Sequence, residues 1–270
     1  MKRKKPVLYV TLTVGLVCLL VYVVQLVNGY ADNTEGMILF GAYYKPFILA
    51  GEYWRLLTVG FVHANIWHLM INLMSLYALG SALEMSMGRW KYLTVLLGSV
   101  IGGSLFLFAG QGNTIAVGLS AGLYGLMSAY VILIVRAGGM KVPRVRNALL
   151  STIMINLLIN FMPGVSWIAH LGGAVSGALL CGALCLDGTE VQKRMNYGAA
   201  AIVLAFSLGF LSYQNAYIPS DQIYILSDYH ILTAEKKYLP MSYINSMAQK
   251  LDDIYGSSSI LEDAVQQKEA

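Results

Sequence analysis

Charge is what this sequence has least of. Asp, Glu, Lys and Arg make up 12% of its 270 residues and apolar side chains 57%, whereas about a quarter of the residues in a soluble domain are charged. That scarcity excludes an ordinary soluble fold and predicts a chain that crosses a membrane several times. Metal and redox motifs are missing as well. Cys18, Cys181 and Cys185 form no CxxC pair and no zinc spacing, and they read as small packing residues inside apolar runs. There is no HExxH and no long-range internal repeat. Met1-Lys2-Arg3-Lys4-Lys5 resembles a signal-peptide n-region, but the apolar stretch behind it is too long and lacks a clear cleavage site.

Long uncharged runs are what the chain has instead. Stretches of the length that crosses a bilayer fall at roughly 7–29, 66–87, 91–110, 115–136, 147–163, 167–187 and 197–214. Lys and Arg are retained on the cytoplasmic side, and their distribution sets the orientation. With the N-terminus inside, the inner face receives Lys2, Arg3, Lys4, Lys5, Arg89, Lys91, Arg136, Lys141, Arg144, Arg146, Lys193 and Arg194, while the outer loops before the tail receive only Lys45 and Arg55. The expectation is therefore N-terminus in and C-terminus out. The net charge of +4 describes this topology and carries no nucleic-acid signal.

The outer loop at about 30–65 is rich in aromatic residues, including Tyr43, Tyr44, Tyr53 and Trp54, and suits the membrane interface. Glu52 and Arg55 are spaced to pair within it if the stretch is helical. Glu84 reads as a carboxylate bonded to a neighbouring helix near the inner boundary. From about Asn215 the composition turns acidic and polar, which predicts a soluble tail with short amphipathic helices around 231–255 and a break at Gly256-Ser257-Ser258-Ser259.

A few polar residues stand out inside the apolar runs. Ser120 lies among glycines in Gly118-Leu119-Ser120-Ala121-Gly122-Leu123-Tyr124-Gly125, and His170 opens another run with Gly173 and Gly177 on the same helical face. His68 and Asn72 share a face of the second span, with His63 just before it. The second, fourth and sixth spans run in the same direction, so Ser120 and His170 both lie within roughly 10 Å of the outer boundary at 1.5 Å per residue, and His68 and Asn72 enter at a similar depth. A serine beside an imidazole suits acyl transfer, with the serine as nucleophile and the histidine as base. His68, Asn72 and backbone N–H groups near Ser120 are candidate oxyanion donors. No Asp or Glu lies in the outer half of a span to orient His170, so the pattern predicts a Ser-His dyad without a third acid. Asn156 and Asn160 in the fifth span read as interhelical hydrogen-bonding residues.

Three other readings compete. A metal site lacks a carboxylate at the right depth. A transporter or proton relay calls for paired broken helices or repeats. A non-catalytic protein that holds client helices is the third.

Taken together, Trp54-Arg55, His63, the His68 and Asn72 pair, Gly118-Leu119-Ser120, and His170 with Gly173 and Gly177 resemble the rhomboid intramembrane serine proteases over roughly residues 40–187. The resemblance implies Ser120 as nucleophile, His170 as general base, His68 and Asn72 as oxyanion supports, and Tyr124 as the ring that packs on the histidine. It implies an all-α polytopic membrane protein, a six-helix rhomboid-like bundle plus a seventh C-terminal transmembrane helix. The division is then 1–190 for the catalytic bundle, 191–214 for the added helix and 215–270 for the tail. The expected activity is cleavage of transmembrane protein substrates near the outer membrane boundary, within the lipid bilayer of the cell membrane. No cofactor, metal or nucleic acid is expected, and the oligomeric state is not legible. A catalytically inactive rhomboid-like scaffold is the alternative. The chain departs from the usual GxSG at Ala121.

Overall fold

The computed structural model describes residues 7–110, 114–186, 190–215 and 222–256. The basic cluster at Lys2 to Lys5, the acidic residues Asp221, Glu262, Asp263 and Glu269, and the serines of the expected break lie outside the described residues. The chain begins with α1 (Tyr9–Val27) and then builds the outer loop from α2 (Thr34–Leu39), the strand β1 (Tyr43–Tyr44), α3 (Lys45–Leu49) and α4 (Arg55–Thr58). Helices α5 (Ile66–Met87) and α6 (Arg89–Ala109) follow, then the strand β2 (Ile115–Ala116), α7 (Ser120–Arg136), α8 (Pro143–Ile159), α9 (Trp167–Cys185) and α10 (Val191–Gln214). After these come α11 (Gln222–Glu235) and α12 (Met241–Tyr255).

A helix overlaps each of the seven expected spans, with α8 set four residues earlier than 147–163 and α10 opening at Val191 rather than at 197. Five of these helices, α1, α5, α6, α9 and α10, are long and apolar enough to cross a membrane, and α7 is a shorter apolar helix of 17 residues. Helix α8 is also 17 residues long; it opens on Pro143, whose fixed φ suits a first turn, and carries Arg144 and Arg146 near its start. The fourth span begins later than the expected residue 115. Ile115 and Ala116 instead pair antiparallel with Tyr44 and Tyr43, and Gly118, with φ at +108°, turns the chain into the helix as few other residues could.

Small residues bring the central helices together. Helix α9 packs against both α6 and α7, which also touch each other. A Cβ on Gly173 would lie 2.1 Å from the Ala121 carbonyl oxygen, and one on Gly177 would lie 2.3 Å from Gly125 Cα. The α7 and α9 backbones are thus in direct contact, as small-residue faces allow in a membrane. Helix α10 lies along α6 and α9.

Polar residues fix the ends of these helices. The Glu84 carboxylate accepts from the backbone N–H groups of Val10 and Thr11, each at 2.9 Å, and from the Thr11 hydroxyl at 2.7 Å. It therefore satisfies the free donors at the start of α1, where negative charge is favourable. Lys45 is fully buried and donates to the carbonyls of Gly110 and Asn215, at 2.7 and 2.8 Å. It ties the outer loop to the ends of α6 and α10, and burial pushes its ammonium below the usual lysine range.

The tail packs back onto the outer loop. Helix α12 buries Ile244, Met247, Ala248, Leu251 and Tyr255, a helical stripe, in a second core with Ile38, Tyr44 and Phe47 of the loop and Ile231 and Leu232 of α11. The first helix of the tail begins earlier than expected, at Gln222, and the second ends at Gly256 in the left-handed conformation. Burial of Glu52 and Arg55 follows from this docking. Arg55 is 0% exposed; its guanidinium bonds to the Glu52 carboxylate and the Ile38 carbonyl, and Nη2 lies 3.7 Å from Glu235 of α11. Tyr243 of α12 donates to the other Glu52 oxygen. The expected pair thus forms, with Glu52 just ahead of α4, and is the centre of a buried polar cluster.

Candidate active site

Ser120 is the first residue of α7, immediately after the Gly118 turn. That turn is held by the β1–β2 pairing and by the Gly118 N–H, which donates to the Val59 carbonyl at 2.9 Å. His170 lies in the first turn of α9, whose start is capped by Ser166 accepting from the Ala169 N–H. Because the glycine contacts bring α7 and α9 together, the two side chains meet. Ser120 Oγ lies 2.9 Å from His170 Nε2, with the imidazole 6% exposed and the serine half-buried.

Tyr124, one turn along α7, stacks on the imidazole with ring centroids 4.1 Å apart and planes at 11°. The far side of His170 holds a residue whose expected role was an interhelical hydrogen bond. Asn160, at the end of α8, places Oδ1 2.6 Å from His170 Nδ1. Its Nδ2 donates to the Tyr124 hydroxyl at 2.9 Å and to the Asn156 carbonyl at 3.0 Å, and the Tyr124 hydroxyl donates to that same carbonyl at 2.7 Å. The only sequence signal for Asn160 was a polar side chain in an apolar run, a feature it shares with Asn156.

The second span brings its histidine to the same place. A Cβ on Gly118 would lie 2.6 Å from both Cε1 and Nε2 of His68, so the imidazole of His68 covers the turn before Ser120. His63 is fully buried, its ring edge-on to His68 at 5.2 Å. Asn72 is buried one turn further along α5, and its Nδ2 donates to the His68 carbonyl at 2.8 Å. Trp54 and Arg55 belong to the outer-loop cluster, with the guanidinium 4.5 Å from the indole ring. The Ala121 methyl is accommodated because α6 presents Gly103 opposite it, where a Cβ would come within 2.7 Å. Among the described residues, no three His, Cys, Asp or Glu side chains are grouped as metal ligands would be.

A hydroxyl and an imidazole in hydrogen-bond contact, set in a bundle of apolar helices, define an all-α integral membrane protein of several spans with a polar site in its interior. The family model described as the Rhomboid domain matches residues 50–187, and the chain belongs to the rhomboid family. It is 31% identical over 198 residues to Rhomboid protease GluP of Bacillus subtilis (strain 168), covering 73% of this chain and 38% of that protein. Rhomboid protease AarA of Providencia stuartii is 30% identical over 197 residues, 63% of this chain and 70% of that one. RHOMBOID-like protein 5 of Arabidopsis thaliana is 33% identical over 145 residues, 52% of this chain and 47% of that one. The match thus spans well under half of the first relative and about half of the third. Relatives named as proteases support a protease.

Proposed function

We propose that the chain is an intramembrane serine endopeptidase that cuts transmembrane proteins near the outer membrane boundary. The observation that carries this reading is the 2.9 Å contact between Ser120 Oγ and His170 Nε2. In this mechanism Nε2 takes the hydroxyl proton as Oγ attacks the substrate carbonyl carbon. His170 then passes that proton to the departing amine, leaving an acyl-serine. Water attacks the acyl carbon while His170 takes its proton, and the proton returns to Oγ as the new carboxyl end leaves. Nucleophile and base supply this chemistry without a metal or cofactor.

The oxyanion formed in both halves needs fixed donors. Ser120 opens α7, and the first N–H groups of a helix have no partner within it. The backbone around Ser120, the His68 imidazole over Gly118 and the second hydrogen of Asn72 Nδ2 supply them in this reading. Trp54, Arg55 and His63 shape the loop beside the site, and Gly173 and Gly177 keep α9 close enough to α7 for the pair to meet.

The charge distribution supports an N-terminus in the cytoplasm and a C-terminal tail outside, in the cell membrane. Docking of the tail on the loop after α1 supports the same arrangement, because both then lie on one side. Residues 1–190 form the catalytic bundle in this division, 191–214 an added helix and 215–270 the tail. Substrates are proteins held in the same bilayer. The test is to incubate the purified protein in phospholipid vesicles with a model single-span substrate and a fluorophosphonate. Cleavage of the substrate and attachment of the probe to Ser120, found by mass spectrometry of the peptide, is the expected result. Cleavage unaffected by full labelling of Ser120 would overturn the reading in favour of chemistry elsewhere.

A further inference from the structure

We propose that Asn160 is a positioning residue for His170, holding it in the one tautomer that can take a proton from Ser120. The inference rests on the protease reading for its consequence but on separate geometry for its substance. Hydrogen-bond directions around Asn160 can be assigned from one end to the other. The Asn156 carbonyl is acceptor only, so both groups that reach it donate: the Tyr124 hydroxyl at 2.7 Å and Asn160 Nδ2 at 3.0 Å. Having given its proton to Asn156, the Tyr124 oxygen accepts the second Nδ2 hydrogen of Asn160 at 2.9 Å.

The carboxamide is thereby fixed with its NH2 towards Tyr124 and its oxygen towards His170. An Asn is ordinarily ambiguous between two flipped states, but here the carbonyl at the far end removes the ambiguity. Oδ1 faces Nδ1 at 2.6 Å and can only accept, so Nδ1 carries the proton. Nε2 is then the bare nitrogen, and it faces Ser120 Oγ at 2.9 Å. In serine hydrolases with a triad an aspartate at this position selects the tautomer and stabilises the imidazolium that forms. A neutral carboxamide does the first fully and the second in part, through its dipole.

The neutral partner also fits its surroundings. Asn160 ends α8, a helix with one buried residue, Leu149, and a carboxylate there would be costly to desolvate. The same network ties α8 to the core at Tyr124 and His170, so the position of α8 and the state of the base are set by one side chain.

Two substitutions test this, with wild type and Ser120→Ala as controls in the same vesicles. Asn160→Ala should lower kcat and the fluorophosphonate labelling rate by roughly ten- to hundredfold, the range of a hydrogen bond to a group that becomes charged, with KM unchanged. Asn160→Asp keeps the acceptor towards Nδ1 and adds a charge that favours the imidazolium, at the cost of the hydrogen bonds to Tyr124 and the Asn156 carbonyl and of desolvating the carboxylate. It should retain more activity than Asn160→Ala and move the acidic limb of the rate profile to higher pH. Nitrogen-15 shifts of the histidine ring should show a protonated Nδ1 and a bare Nε2 in wild type and a mixture of tautomers in Asn160→Ala. A mixture of tautomers in wild type, or an unmoved acidic limb in a folded Asn160→Asp, would overturn the proposal. Wild type that neither cleaves nor labels, yet shows the protonated Nδ1, would overturn the protease reading and leave the tautomer assignment standing.

Discussion

Tyr124 and His170 lie face to face, their ring centroids 4.1 Å apart and their planes 11° from parallel. The tyrosine therefore restrains the imidazole in two ways, by contact with its face and, through the hydroxyl, by anchoring the carboxamide at its edge. The two restraints separate by substitution. Tyr124→Phe keeps the stack and loses the anchor, whereas Tyr124→Ala loses both. A stacked pair is worth about 0.5–1.5 kcal/mol beyond its burial, so Tyr124→Ala should be slower than Tyr124→Phe by roughly two- to tenfold in kcat. Single-turnover cleavage of a model substrate measures the difference.

The glycines of α9 make a sharper structural prediction. A methyl at Gly173 would overlap the Ala121 carbonyl and one at Gly177 the Gly125 backbone, neither of which is the end of a flexible side chain. Gly173→Ala and Gly177→Ala should each destabilise by about 1–3 kcal/mol or more. Gly198→Ala in α10, with nothing near the added atom, should unfold with wild type or slightly later. Thermal unfolding in detergent checks the ranking.

How much of this was legible differs between residues for physical reasons. Ser120, His170 and the glycines of α9 stood out because polar groups in apolar runs are costly and small residues at helical spacing mark close contacts. The five long apolar helices and the shorter α7 followed from length and hydropathy. Asn160 did not stand out, since its role depends on where α8 lies across His170, and nothing local separates it from Asn156. Burial of Glu52 and Arg55 was hidden because the covering residues, Glu235 and Tyr243, come from the far end of the chain. The β1–β2 pair is two residues a side, too short for alternation to reveal.

Docking of the tail should depend on pH. Burial first, and then the Glu52 charge, pushes Glu235 up to about 7 despite Arg55. Burial likewise pushes Asp228 up to about 7, against the pull of Tyr255, Tyr44 and Arg55. With both raised above their ordinary values, the docked state binds more protons than the released state between about pH 4.5 and 7. Its stability should rise as the pH falls through 7 towards 4.5 and be lowest above 7. Protection of the α11 and α12 amides, taken relative to the intrinsic exchange rate at each pH, should increase between pH 8 and 6, and Glu235→Gln should flatten part of that dependence.

Orientation has a direct check. A cysteine replacing Thr114, exposed before α7, should react with a membrane-impermeant maleimide in intact cells. One replacing Val142, exposed between α7 and α8, should react only after lysis. The reverse pattern would invert the proposed topology and the side on which products are released.

In the proposed mechanism Ser120 and His170 act as one catalytic unit, which a mutant cycle measures most directly. Cleavage of a single-span substrate in vesicles would be timed for wild type, Ser120→Ala, His170→Ala and the double mutant, each checked for folding. Either substitution alone should remove cleavage to background and the double mutant should be no worse, since losses within a catalytic unit do not add. A folded Ser120→Ala protein that turned over substrate at near wild-type rate would contradict that mechanism.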